Sequence, residues 1–215
     1  MELDGGLSDK TMIASRILEE IQAVGRMTCK FGLNSSHSGN LSVRVGDRVV
    51  ITKALAMLGR LDEHALAEVP LKGAIDSALN ASKESLTHRA IYERCKAKAI
   101  VHTHPPAAIT LSLLYDSIAP VDADGAYHFP KVDVVAPNYL EGPEAVAEVI
   151  GTPFATANMA LSRGHGLFVA EESLGRALQF SCVVETSARI ICNLLAMGKD
   201  PRDFEKDYFG KWRTS

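Results

Sequence analysis

One stretch limits what this chain can fold into: Ile100-Val101-His102-Thr103-His104-Pro105. Its β-branched residues favour an extended strand, and a second proline, Pro106, ends that strand abruptly. Side chains two residues apart in a strand point to the same face. His102 and His104 can therefore be aimed at one point from a rigid support, as two imidazoles holding one metal ion would be. By itself the pair is weak, because seven histidines in 215 residues produce a His-x-His by chance in about one such chain in five. The rest of the chain must supply further ligands.

The flanking sequence alternates helical and extended patterns. From Ser8 or Asp9, apolar residues recur at Ile13, Ile17, Ile21, Val24 and Met27, which predicts a packing helix stopped at Gly32. The loop Asn34-Ser35-Ser36-His37-Ser38-Gly39-Asn40 leads into a hairpin, residues 41–45 and 48–52 about the turn Gly46-Asp47. Residues 53–66 read as irregular, with a short helix at 62–66. Short strands are expected at 67–71 and 74–77, then a helix from Ser82 to about Lys96. After the histidine strand, Pro105-Pro106 opens a helix through Leu114.

Residues 116–142 carry little periodic signal beyond a strand at Val132–Val135. Pro143 starts a helix to about Val149, and residues 160–161 and 167–169 read as strands around Arg163-Gly164-His165-Gly166. A final long helix is expected from Glu171-Glu172-Ser173 to about Leu195, ended by Gly198 and Pro201. Its inner face should carry Leu174, Ala177, Leu178, Cys182, Val184 or Glu185, Ala188 and Ile191. The tail 203–215 holds Phe204, Tyr208, Phe209 and Trp212, and is expected to dock on its own core or on a neighbouring subunit. Strands alternate with helices, but the early hairpin argues against a purely parallel sheet. The expected fold is α/β, a central mixed or antiparallel sheet with helices on both faces.

Composition narrows the function classes. A net charge of −3 leaves no electrostatic footprint for nucleic acid or an anionic membrane. No apolar run approaches the roughly 20 residues of a membrane span, and Met1-Glu2-Leu3-Asp4 is unlike a signal peptide, so a cytoplasmic location is expected. The four cysteines, Cys29, Cys95, Cys182 and Cys192, form no C-x-x-C pair and sit in apolar patterns, which predicts buried free thiols.

Two further places can join the histidine pair. His165 stands between glycines, which let the backbone turn tightly and let a bulky partner approach. Glu84 stands near a helix start, with His88 one turn on along the same face. Three histidines and a carboxylate match the donor set of a catalytic divalent metal site, with zinc the default ion and Mn2+ or Fe2+ as alternatives. A lower-ranked count takes Glu84 and His88 as an i, i+4 ligand pair.

In order along the chain come Ser38-Gly39-Asn40-Leu41-Ser42, Ser82-x-Glu84-x-x-x-His88-x-x-Ile91-Tyr92, His102-Thr103-His104-Pro105 and Gly164-His165-Gly166. Together they resemble the class II aldolase/adducin family, which includes L-fuculose-1-phosphate and L-ribulose-type sugar phosphate enzymes. The resemblance runs from about Thr11 to Leu195 and extends to the closing helix, Ser173-Leu174-x-x-Ala177 with Glu185 further along. It implies a single domain over 1–215 with a three-layer α/β/α fold around a mostly antiparallel mixed sheet. It also implies a C4 homotetramer with active sites between subunits. It implies zinc held by His102, His104, His165 and Glu84, with Glu84 also the acid/base. The Ser38-Gly39-Asn40 turn would receive an anionic end of the substrate.

The chain departs from that family around the phosphate. It reads Thr52-Lys53-Ala54-Leu55 where the family carries a Thr-Gly pair, Ser82-Lys83-Glu84 where it carries Ser-Ser before the glutamate, and His37 where a small hydroxyl residue is usual. Ser82 and Lys83 remain substrate-binding candidates, Lys83 as a point charge for a phosphate or carboxylate. Tyr127 lies in the region of the family's tyrosine acid, given by a neighbouring subunit, without a residue-level match. The expected activity is a metal-dependent aldolase acting on a hydroxyketone or sugar phosphate through an enediolate. Decarboxylation of a hydroxylated aromatic or keto acid is the second reading. A non-catalytic adducin-like module is the third, and the intact His102, His104, His165 and Glu84 weigh against it.

Overall fold

The computed structural model describes residues 9–204. The aromatic tail positions Tyr208, Phe209 and Trp212 lie outside the described residues. The long helix α1 (Asp9–Lys30) leads through the 34–39 loop into the hairpin β1 (Asn40–Val45) and β2 (Arg48–Thr52), then β3 (Leu66–Pro70). Helix α2 (Ser85–Arg94) precedes the histidine strand β4 (Ala99–Thr103), and α3 (Pro106–Ser112) comes after it. Next come β5 (Ser117–Ile118), α4 (Ala123–His128), β6 (Val132–Val135), α5 (Pro143–Gly151), β7 (Met159–Ser162), β8 (Gly166–Glu171) and α6 (Leu174–Ala196).

The eight strands form one sheet in the order β3-β2-β1-β4-β8-β7-β6-β5. The β6–β7 pair is parallel, whereas the other neighbours run antiparallel. The expected mostly antiparallel mixed sheet is thus observed, and β4 occupies its interior between β1 and β8. Strand alternation then divides the core in two. Ala99 and Val101 pack with Ile21 and Val24 of α1, Leu111 of α3 and Ala177 and Val184 of α6. Ile100 faces the opposite way, with Ile91 and Tyr92 of α2, Ile150 of α5 and Phe168 of β8. Each fully buried valine, leucine, isoleucine or phenylalanine among these contributes about 1.5–3 kcal/mol. A strand gripped on both faces is therefore a stiff base for the histidines at its end. His102 shares the parity of Ile100 and so emerges on the α2 side.

Several local expectations change. The helix expected at 62–66 is replaced by a 3-10 turn at Leu58–Arg60 that buries Leu58, and Asp62 Oδ1 accepts from His64 N at 2.9 Å to make a local turn. The strand expected at 74–77 gives way to a 3-10 turn at Ser77–Leu79 capped by Asp76. Helix α2 starts three residues later than Ser82, because that segment is held in sheet-like pairing. Ser82 N donates to Thr52 O at 3.2 Å, and Lys53 bridges Ala81. Within 116–142 lie β5, α4 and a 3-10 turn at Tyr139–Glu141, elements too short to leave a periodic signal. Helix α6 starts where expected, with Ser173 as its cap, and Glu185 is buried, while Leu178 and Cys182 are half-buried and Phe180 and Val183 take the inner places. The four cysteines carry free thiols and are half-buried instead of fully buried. No helix among the described residues is long and apolar enough to cross a membrane.

Candidate metal centre

The end of β4 delivers His102 and the residue just beyond it, His104, into the space between α2 and the β7–β8 turn. That turn brings His165. Gly164 has φ +66° there, and a Cβ on Gly166 would sit 2.5 Å from Thr103 O and 2.8 Å from His102 Cε1. Only glycine lets the start of β8 lie this close to the histidine strand. The three imidazoles present one nitrogen each, all within 4.8 Å of one another, and His102 Nε2 lies 3.0 Å from His104 Nε2. His102 is fully buried, stacked on Phe168 at 3.9 Å between ring centroids.

Glu84 reaches the same point from the start of α2. It occupies the N-cap position without using its side chain to cap, because the carboxylate is turned away toward the histidines. Oε2 lies 3.2 Å from His102 Nε2, and Oε1 lies 3.4 Å from His165 Nε2. Asn40 Nδ2 donates to Oε2 at 2.5 Å and fixes the carboxylate's orientation.

The protonation pattern comes from these contacts. His102 Nδ1 lies 3.0 Å from Leu167 O, and a carbonyl only accepts, so Nδ1 carries the hydrogen and Nε2 is a bare lone pair. That lone pair faces a carboxylate oxygen and another imidazole nitrogen. Burial, then repulsion from His104 and His165, holds the His102 pKa well below its ordinary value. Burial, then His165, lowers that of His104. A buried neutral imidazole with a bare lone pair, joined by two further imidazole nitrogens and a carboxylate, is the donor set a divalent cation satisfies and a proton does not. The residues therefore fit a metal ion.

The other candidates separate. Asn40 is at the site through Glu84, and Gly39, at φ +73°, packs where a Cβ would lie 2.5 Å from both His102 O and Asn34 Nδ2. Ser82 is buried and its hydroxyl accepts from Glu84 N at 3.2 Å. Ser38 instead ties its own loop, accepting from Ser35 N at 2.8 Å. Lys83 is exposed and precedes Glu84 in the chain. His88 does not join the cluster. It is fully buried with Nδ1 2.7 Å from Ser42 Oγ, which also contacts Tyr92 OH at 2.9 Å, so the Glu84–His88 ligand pair is not formed. Tyr127 stands half-exposed on α4 with its ring against His128.

Sequence reasoning missed three supports. Asn34 Oδ1 accepts from His104 N at 2.9 Å. Tyr139 OH lies 2.8 Å from His165 Nδ1 and 2.9 Å from Ser162 Oγ, and burial raises its pKa, so it is a neutral phenol. Glu185 accepts from Ala107 N and Ala108 N at 3.1 Å each, capping α3 directly after His104. The polar loop around Asn34 and the buried acid on α6 were visible signals; nothing local marked Tyr139.

The family model described as Class II Aldolase and Adducin N-terminal domain matches residues 19–192. The 3-oxo-tetronate 4-phosphate decarboxylase of Cupriavidus necator is 31% identical over 172 residues, 76% of this chain and 77% of that protein. The L-fuculose phosphate aldolase of Escherichia coli is 27% identical over 194 residues, 88% and 86% of the two chains. The crystal structure of L-fuculose-1-phosphate aldolase from Thermus thermophilus superposes with a TM-score of 0.79 at 34% identity, covering 87% of this chain and 98% of that one.

Proposed function

Because this chain belongs to the class II aldolase and adducin N-terminal domain family, we propose that it is a metal-dependent carbon–carbon lyase. Its site is His102, His104, His165 and Glu84, and its leading reaction is aldol cleavage or formation with a hydroxyketone-type substrate. The observation that carries this is the Glu84 carboxylate set against the bare nitrogen of His102, 3.2 Å away, with His165 on its other oxygen. The three histidines would hold the ion, zinc by their nitrogen donors with Mn2+ or Fe2+ as alternatives, and Glu84 would be a fourth ligand. When bound, such an ion supplies Lewis acidity for negative charge developing on the substrate's adjacent oxygens.

Glu84 does the proton work. Displaced toward the substrate, its carboxylate takes a proton from, or returns one to, the carbon next to the carbonyl. Asn40 keeps that carboxylate oriented through its 2.5 Å hydrogen bond. The Ser38-Gly39-Asn40 turn, Ser82 and Lys83 would receive the anionic end of the substrate, Lys83 by charge. A C4 homotetramer in which a neighbour closes the site goes with this reading, and the exposed Leu113, against Gly164 of the His165 turn, is apolar surface such a neighbour would cover.

Decarboxylation of an oxo acid is the second reading. Loss of CO2 leaves the same electron pair, and Glu84 then has only to protonate the carbon. The 31% identical decarboxylase relative favours it. One assay separates the two: a panel of phosphorylated and free hydroxyketones and oxo acids, read together for aldehyde and for CO2. Aldehyde without CO2 supports the first reading, and CO2 without aldehyde replaces it with the second. Neither product from the metal-loaded protein across the panel would count against the lyase itself.

A further inference from the structure

His165 differs from the other two histidines in how it is held. It comes from the turn between β7 and β8 and its side chain keeps 26% of its surface exposed. His102, by contrast, is buried and locked by Leu167 O. The hydroxyl of Tyr139 stands 2.8 Å from His165 Nδ1, and the same oxygen stands 2.9 Å from the hydroxyl of Ser162, which is fully buried. The two rings meet nearly edge-on, at 81° with centroids 5.7 Å apart. Tyr139 is itself placed by a small built turn. Asn138 Oδ1 accepts from Leu140 N at 3.1 Å, and Asn138 Nδ2 donates to Glu141 Oε1 at 3.0 Å.

We infer that Tyr139 is the positioning residue of His165. The phenol oxygen accepts the Nδ1–H, and the phenol's own hydrogen goes to Ser162 Oγ. This order of donors leaves Nε2 as a bare lone pair directed at Glu84 and the other imidazoles. The reverse order, with Tyr139 donating to Nδ1, would put a hydrogen on Nε2 and remove the third ligand. A histidine whose far nitrogen is tied in this way keeps one tautomer and one ring orientation, and losing such a tie weakens metal binding about 10–100-fold. The inference rests on the cluster being a metal centre and adds the residue that sets the ligand carried by the β7–β8 turn.

The test uses zinc affinity by chelator competition, together with melting of the metal-free proteins. Wild type, Tyr139→Phe, Leu140→Ala on the same turn and His165→Ala are compared. Tyr139→Phe keeps the ring and removes only the hydroxyl. It should weaken zinc binding about 10–100-fold with unchanged metal-free melting, and cobalt-loaded protein should show a shifted visible spectrum. Leu140, 95% exposed, should match wild type when changed. Wild-type affinity and spectrum in Tyr139→Phe, with binding lost in His165→Ala, would overturn the inference while leaving the metal centre intact. A lowered metal-free melting point with wild-type affinity would overturn it as well, by making Tyr139 a packing residue. Failure of wild type itself to bind zinc more tightly than His165→Ala would overturn the metal centre and this inference with it.

Discussion

His102 Nε2 and Glu84 Oε2 face each other at 3.2 Å, and neither atom has a hydrogen to offer the other. The histidine's one hydrogen is committed to Leu167 O on the opposite side of the ring. The carboxylate's second oxygen meets His165, and Asn40 holds the first. Two acceptors brought this close in a buried place leave room for a cation. From that relationship the roles of the surrounding residues can be tested one at a time.

Replacing Glu84 with Gln keeps the shape and an oxygen donor but removes the proposed proton-transfer group. Turnover should fall about 10²–10⁴-fold while metal remains bound. Steady-state kinetics with metal analysis on the same sample checks this. Full turnover in the metal-loaded variant would remove Glu84 from the proton step.

Lys83 is exposed and next to Glu84 in the chain, so its effect should be on specificity. Lys83→Ser should lower kcat/KM for substrates with an anionic end about tenfold, as expected for one charge-assisted hydrogen bond. Uncharged analogues should be unaffected. Unchanged discrimination between phosphorylated and free substrates would dismiss it as a specificity residue.

Glu185 is 3% exposed and satisfies two backbone N–H groups at the start of α3 as well as Arg189. Glu185→Ala strands the two backbone donors, while the half-exposed Arg189 turns to solvent, and should cost about 2–4 kcal/mol of stability. Glu185→Gln, which keeps an acceptor oxygen, should cost about half as much or less. Denaturant unfolding of the two variants checks the order, and equal costs would contradict the capping account.

Burial lowers the His88 pKa from 6.5 to about 3. Between these values the unfolded chain binds a proton that the folded imidazole refuses. Stability should therefore be full above pH 6.5 and decline as pH falls from there toward 3, by up to about 1.4 kcal/mol per pH unit from this group. Denaturant unfolding of metal-free protein between pH 8 and pH 5 measures the slope. A stability that stays flat or rises on acidification would contradict it.

The sequence was legible where a pattern repeats or a chemistry demands rare residues. The long helices α1 and α6, the hairpin and the His102–His104 strand are set by period and punctuation. His165 and Glu84 could be singled out because flanking glycines and a helix start gave them context. What escaped was short or tertiary. The six-residue α4 has Gly125 at its middle, where a Cβ would run into Ser187 and Pro120, so its composition answers to packing and not to helix propensity. Ser82 reads as a helix cap, yet pairing with Thr52 keeps its segment extended and delays α2 until Ser85. Tyr139 becomes relevant only because the fold lays residues 138–142 over a turn more than twenty positions away.

The central claim is that His102, His104, His165 and Glu84 hold a divalent metal that the reaction needs. Metal analysis of the purified protein beside the double variant His102→Ala/His104→Ala tests it most directly. The account predicts about one transition-metal ion per wild-type chain and loss of that ion in the variant. Wild-type protein without stoichiometric metal, or a variant that loads as well as wild type, would contradict it.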